Sequence, residues 1–148
     1  MFHTSSGKTA SGIYGIMGSQ KEALMWIRCN PNPLGKQTSD CVVRAIAIAT
    51  EQSWKRTYRE LCNLGEIEAE MPNVNYVWGL DLKDKGARQF LLPESCPQCL
   101  TIRAFCERYP EGIYVIGTGG HAVAIIDGDY YDAWDSGNEV PSYFWRVK

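Results

Sequence analysis

Apolar residues in the first two thirds of the chain recur three or four positions apart, which predicts helices. The predicted helices cover 41–50, 54–64 after the N-cap Ser53, 75–85, and 102–109 after the N-cap Thr101. The first is apolar on almost every side, so we expect it to lie in the core, with Ser39 or Asp40 as its N-cap. Gly86 ends the third helix and Pro110 stops the fourth.

After Gly112 the period changes to two, which is typical of strands. The predicted strands cover 114–117, 121–126, 130–135 and 143–147. The turn residues Asp127, Gly128 and Asp129 join the second strand to the third as a hairpin. Helices therefore come first and an antiparallel sheet follows, which predicts an α+β fold.

Length and composition indicate a single domain. The chain has 148 residues, of which 45% are hydrophobic, enough for a core without metals or disulfides. Residues 1–24 are rich in Gly, Ser and Thr without a sustained period, so we expect a flexible leader or an added tail there and one domain over 25–148. A net charge of -2 argues against a strongly cationic nucleic-acid binder. No run is long and apolar enough for a membrane span, and no secretory leader is evident, so we expect a cytoplasmic protein.

The candidate chemistry centres on one cysteine and one histidine. The chain has two histidines, and His3 falls in the leader, which leaves His121. Cys41 begins the predicted core helix, where the helix dipole and unpaired N–H groups favour a thiolate. Considered alone, Cys41 is somewhat better explained as a small buried apolar residue at the start of a core helix.

The hairpin register decides which carboxylate faces His121. A three-residue loop with Gly128 at its left-handed position places Asp135 directly opposite His121. A two-residue loop would reverse the parity and put Asp132 or Trp134 on the histidine side. We expect the three-residue loop, with Asp132 as the reserve candidate.

A cysteine at a helix N-terminus, then a histidine on a strand, then a carboxylate on the next strand resembles the order in papain-like cysteine peptidases. The Asp40–Cys41 pair is more similar to the bacteriocin-processing peptidases than to papain. The chain from about Cys29 onward most resembles a group of small phage and prophage proteins. The stretches that carry this resemblance are NPNPLGKQTSDCVVRAIA, WGLDLKDKG and HAVAIIDGDYYDAWDS.

This resemblance implies a papain-like fold with Cys41 as nucleophile, His121 as general base and Asp135 as the residue that orients the imidazole. Papain-like enzymes also place a glutamine upstream of the cysteine as an oxyanion-hole donor. The glutamine available here is Gln37, four residues before Cys41, and Asn32 is an alternative donor. The backbone N–H of Cys41 supplies a further donor.

The function expected from this resemblance is a cysteine-dependent hydrolase that cleaves a peptide, isopeptide or other amide bond through a thioester, with no cofactor. Its partner would be a peptide or protein substrate, from the host or from the phage, rather than a nucleic acid or a membrane. Two alternatives use the same fold. One is an acyl transferase with the same triad, and the other is a non-catalytic binding protein, such as a phage-encoded inhibitor of a host factor.

The remaining chemical motif is the pair Cys96 and Cys99, whose spacing suits half a zinc site or a redox pair. No second CxxC occurs, and a loop rather than a strand precedes the motif. We therefore expect incidental thiols and no bound metal. A metal-binding interaction module is the third candidate for function.

Overall fold

A computed structural model describes residues 25–92 and 99–148, and within them the fold is α+β. The predicted leader, 1–24, lies outside the described residues, as does 93–98. The elements are β1 (Trp26–Arg28), α1 (Cys41–Ala49), α2 (Trp54–Glu68), α3 (Asn75–Asp84), β2 (Arg88–Leu91), α4 (Ile102–Arg108), β3 (Ile113–Gly117), β4 (Ala122–Ile126), β5 (Asp129–Asp132) and β6 (Tyr143–Arg146). No helix in this described part is long and apolar enough to cross a membrane.

The four predicted helices are confirmed, together with the N-caps of the second and fourth and the glycine stop of the third. The Ser53 side chain accepts a hydrogen bond from the N–H of Arg56 at the start of α2. Thr101 accepts in the same way from the N–H of Ala104 at the start of α4. Gly86, just after α3, has a φ of 85°, the left-handed conformation expected of a helix stop.

The sheet has six strands in the order β1-β5-β4-β3-β6-β2. The prediction of an antiparallel sheet built from the C-terminal strands was correct for its centre and wrong at both edges. β1 pairs with β5 in parallel, and β2 pairs antiparallel with β6, so the sheet is mixed. Both missed strands are short, and every residue of β2 is exposed, so neither carries the alternating pattern by which strands are predicted.

The β4–β5 hairpin has a two-residue loop, and the expected three-residue loop was wrong. Ile126 pairs with Asp129, which leaves Asp127 and Gly128 as the loop. Both have positive φ, 48° and 78°, as a type I′ turn requires, and the twist of this turn matches the twist of paired strands. β5 then ends at Asp132. Every pairing in the hairpin is thereby shifted by one residue from the predicted register.

The sheet is packed between helices on its two faces. One face is covered by α1, α2 and α3, around Ile46, Leu61 and Trp78. The other face is covered by α4, around Phe105. On the first face β4 presents alanines, among them Ala124, so α1 packs closely against this strand. This packing brings Cys41, the first residue of α1, next to the start of β4.

Candidate active site

Cys41 is the first residue of α1, and no side chain caps the N-terminus of this helix. Asp40 occupies the N-cap position but makes no capping hydrogen bond. Its carboxylate instead accepts from the Trp54 indole at 2.9 Å and the Asn32 amide at 3.0 Å. Within the described residues no side chain accepts from the N–H groups of the first turn. These groups, which include the N–H of Cys41, are therefore available to stabilise negative charge.

The Cys41 thiol lies beside the side chain of His121, which comes just before β4, and the two line the same cleft. Burial alone would raise the pKa of the thiol. The hydrogen bonds from His121 and from the N–H of Ala122 outweigh burial, and the charges of His121 and Arg44 add to them, so the pKa is lowered below its ordinary value. Cys41 is thus placed to ionise more readily than an ordinary cysteine.

His121 lies between Cys41 and Asp132. Its Nε2 is 2.5 Å from Oδ2 of Asp132, which leaves Nδ1 for the thiol. The histidine side chain is 10% exposed, and this burial works against the charged form. The hydrogen bonds with Asp132 and Cys41 favour the charged form more strongly and raise the pKa of His121 to about 9. The raised pKa favours an imidazolium, which lies between the Cys41 sulfur and the Asp132 carboxylate.

Asp132 is fixed by contacts on both of its oxygens. Oδ2 also accepts from the hydroxyl of Ser136 at 2.6 Å, and Oδ1 accepts from the N–H of Ala133 at 2.8 Å. Burial would raise the pKa of this carboxyl, but the hydrogen bonds from His121 and Ser136 keep it below its usual value. An ionised carboxylate at this position orients the imidazole and stabilises its positive charge.

The structure does not place Asp135 opposite His121, so that prediction was wrong. The two-residue loop moves Asp135 out of the histidine row. Its side chain is 45% exposed and accepts from the hydroxyl of Tyr130 and from the N–H of Gly137. The two residues expected for the alternative register, Asp132 and Trp134, both contact His121. The Trp134 ring lies 4.9 Å from the imidazole between centroids.

The predicted oxyanion-hole glutamine is not brought to the nucleophile either. Gln37 is exposed and lines a depression beside Ala133 and Trp134, adjacent to the cleft that Cys41 lines. The alternative, Asn32, donates its amide to Asp40. The backbone N–H of Cys41 remains as the donor that the sequence also indicated.

Cys41 and His121 line a cleft of about 370 Å³. Its walls combine polar, glycine and tryptophan residues: Thr38, Ser39, Val42, Arg44, Asn73, Asn75, Trp78, Thr118, Gly119, Gly120, Ala122 and Trp134. Asn75 accepts from the Trp78 indole at 3.2 Å through Oδ1, which leaves its NH₂ group as a donor at the cleft. Sequence reasoning missed Asn75 and also Arg44, although a single arginine within an apolar helix was a signal for the latter.

The CPQC segment lies partly outside the described residues, which exclude Cys96. Cys99 is disulfide-bonded, so the expectation of an incidental thiol at this position was wrong. Cys29, Cys41 and Cys62 are free thiols. The described ranges contain no group of three His, Cys, Asp or Glu side chains that could hold a metal ion.

No protein-family model, curated protein or solved structure matches the chain. The functional interpretation therefore depends on the arrangement of Cys41, His121 and Asp132 around the cleft.

Proposed function

We propose that the protein is a cysteine-dependent hydrolase of amide bonds with a papain-like arrangement of its catalytic groups. The observation that carries the proposal is that Cys41 and His121 lie side by side at the wall of an open cleft, with His121 hydrogen-bonded to Asp132 behind it. The order of these groups along the chain supports it: a helix that begins with the cysteine, a strand that follows the histidine, and a next strand that ends with the carboxylate. Nucleophile, base and orienting group in hydrogen-bond contact are the signature of covalent catalysis.

In the proposed reaction the Cys41 thiolate attacks the carbonyl carbon of the amide, and the carbonyl electron pair moves to oxygen. The N–H of Cys41 donates to this oxyanion. His121 gives its proton to the leaving nitrogen as the C–N bond breaks, which leaves a thioester and a free amine. His121 then takes a proton from water, whose oxygen displaces the thiolate and releases a carboxylic acid. Asp132 stabilises the imidazolium in both steps.

The lining of the cleft supports a peptide or protein substrate. Apart from Cys41 itself, the lining residues that carry charge are Arg44 and His121, and both are paired with Asp132. The other polar groups are neutral, which suits an uncharged backbone amide. A second, more apolar depression of about 210 Å³ adjoins the cleft and shares Ser39, Val42 and Asn73 with it. The two together form a continuous surface along which an extended chain could lie.

The test is the selectivity of cysteine alkylation by iodoacetamide at about pH 6.5, below the ordinary pKa of a thiol. Mass spectrometry should find Cys41 labelled well before Cys62, which lies on α2, and before Cys29, whose pKa burial raises. His121→Ala should reduce the rate at Cys41 to that of Cys62. Uniform labelling, or protection of Cys41, would contradict the proposal and favour a non-catalytic binding protein.

A further inference from the structure

Arg44 lies three residues after Cys41 on α1, and 5% of its surface is exposed. A guanidinium this deeply buried is costly unless carboxylates pair with it. It forms ion pairs with two, Asp40 and Asp132, and its Nη2 lies 3.3 Å from Oδ1 of Asp132. Asp40 and Asp132 are themselves 6% and 2% exposed. This buried network connects the N-terminus of the nucleophile helix with the carboxylate that holds His121.

The ion pairs that Arg44 forms with Asp132 and with Asp40 have different consequences for the site. Because Arg44 and Ala133 occupy Oδ1 of Asp132, the other oxygen is turned toward His121. Arg44 binds Oδ1 of the Asp40 carboxylate, while Trp54 and Asn32 donate to Oδ2. With both oxygens occupied, Asp40 does not cap the first turn. An aspartate at an N-cap normally accepts from these N–H groups, and it would then occupy the place of a developing oxyanion.

We propose that Arg44 is a positioning residue that supports both the activation of Cys41 and the binding of the oxyanion. It fixes the Asp132 carboxylate against His121. Together with Trp54 and Asn32, it also holds the Asp40 carboxylate away from the N–H groups that receive the oxyanion. This inference rests on the proposed function, because it assigns a role relative to the same nucleophile.

The test compares the rates at which iodoacetamide and iodoacetate alkylate Cys41. Iodoacetate carries a carboxylate, so its rate relative to iodoacetamide reports whether the helix N-terminus is open to an anion. Arg44→Met should slow iodoacetamide roughly tenfold, the effect of losing a charge-assisted hydrogen bond at the triad. It should also lower the iodoacetate-to-iodoacetamide ratio by roughly threefold, since Oδ1 of Asp40 then loses its partner and can accept from the N–H groups of the first turn. A loss of stability alone would leave that ratio unchanged in the folded protein.

The matched control is Arg56→Met, which removes an exposed arginine paired with Glu60 four residues later on α2. It should change neither rate by more than about twofold. Arg44→Lys provides a second variant that keeps the buried charge. A lysine can pair with Asp40 but lacks the fork needed to reach both carboxylates. It should therefore retain the ratio of the two rates while still slowing iodoacetamide.

The outcomes separate the two proposals. If the unmodified protein shows no preferential alkylation of Cys41, the proposed function fails and this inference fails with it. If Cys41 is preferentially alkylated and the Arg44 variants match the unmodified protein in both rate and ratio, the role of Arg44 is refuted while the function stands. Full recovery of both rates in Arg44→Lys would also refute it, because charge alone would then suffice. Should Arg44→Met not give the native circular dichroism spectrum, Arg44→Lys decides.

Discussion

Replacing Asp132 by asparagine should remove most of the activation of Cys41, whereas the same replacement at Asp135 should have little effect. Asp132 contacts Nε2 of His121 at 2.5 Å and is 2% exposed. Asparagine keeps the size of the side chain and removes its negative charge. Asp135 is 45% exposed and makes its contacts with Tyr130, Arg103 and Gly137 instead.

The expected magnitude follows from the hydrogen bond that is lost. A hydrogen bond to a charged group contributes about 1.5–3 kcal/mol, and about 1.36 kcal/mol corresponds to one pKa unit. Asp132→Asn should therefore lower the pKa of His121 from about 9 back toward its ordinary range. The population of the thiolate–imidazolium pair at neutral pH falls accordingly. Alkylation of Cys41 by iodoacetamide should slow by roughly tenfold or more.

The assay measures the second-order rate of Cys41 alkylation near neutral pH, with circular dichroism to verify that each variant is folded. Asp135→Asn should stay within about twofold of the unmodified protein. A large loss in Asp135→Asn with none in Asp132→Asn would show that the hairpin has the three-residue loop after all. If neither variant is slowed, the carboxylate has no role in activating Cys41, and the triad is refuted.

Three further predictions concern stability, each measured by urea unfolding. Gly117→Ala should destabilise the protein by about 1–3 kcal/mol, because its Cβ would lie 2.6 Å from the Tyr143 hydroxyl oxygen. Gly119→Ala, where nothing lies within 4 Å, should stay within about 0.5 kcal/mol, and equal losses in the two variants would contradict the close approach of Gly117 to Tyr143. Gly128→Ala should cost about 1–2 kcal/mol, because its φ is 78°, and no loss would argue against the two-residue turn. His121 has a pKa of about 9 in the fold against an ordinary 6.5, so its charged form stabilises the fold below pH 6.5 and loses this effect as the pH rises to about 9. The stability advantage over His121→Gln should shrink over that range, and an advantage that grows would contradict the raised pKa.

Local signals predicted much of the fold. The four helices follow from apolar spacing and from caps such as Ser53 and Thr101, whose hydrogen bonds lie within the first turn of each helix. The position of Cys41 at a helix N-terminus was predictable for the same reason. β1 was not, because its three residues pair with β5 about a hundred positions later, and nothing in the local pattern encodes that partner.

The sequence contains a signal for the two-residue hairpin loop, but the predicted register did not follow it. Asp-Gly between two apolar strands is a strong indicator of a two-residue type I′ turn, and Asp127 and Gly128 form that turn. Adding Asp129 to the loop shifted the register by one residue and exchanged Asp132 for Asp135. The length predicted for this one loop thus determined which carboxylate was assigned to His121.

The contacts around Asp40 and Asp132 could not be predicted from spacing. Arg44 reaches Asp132 across 88 positions, and Asp40 accepts from Trp54 and Asn32 on two different segments. Such contacts exist only once α1 is packed against the sheet. The lone arginine in an apolar helix was an unused signal of a buried ion pair, and its partners depend on the tertiary fold. The papain-like resemblance and the hydrolase activity stay predictions.

The most direct test of the central claim is a titration of the thiolate of Cys41 by its ultraviolet absorbance, taken as the difference between the unmodified protein and Cys41→Ser. We predict that the thiolate absorbance of Cys41 develops at a lower pH than that of an ordinary cysteine, because His121 and the N–H of Ala122 stabilise the ionised sulfur. In His121→Ala the same absorbance should develop at a higher pH than in the unmodified protein. If the unmodified protein shows no thiolate until the pH approaches the ordinary value for cysteine, 9.0, then Cys41 and His121 do not form an ion pair and the proposed nucleophile is wrong.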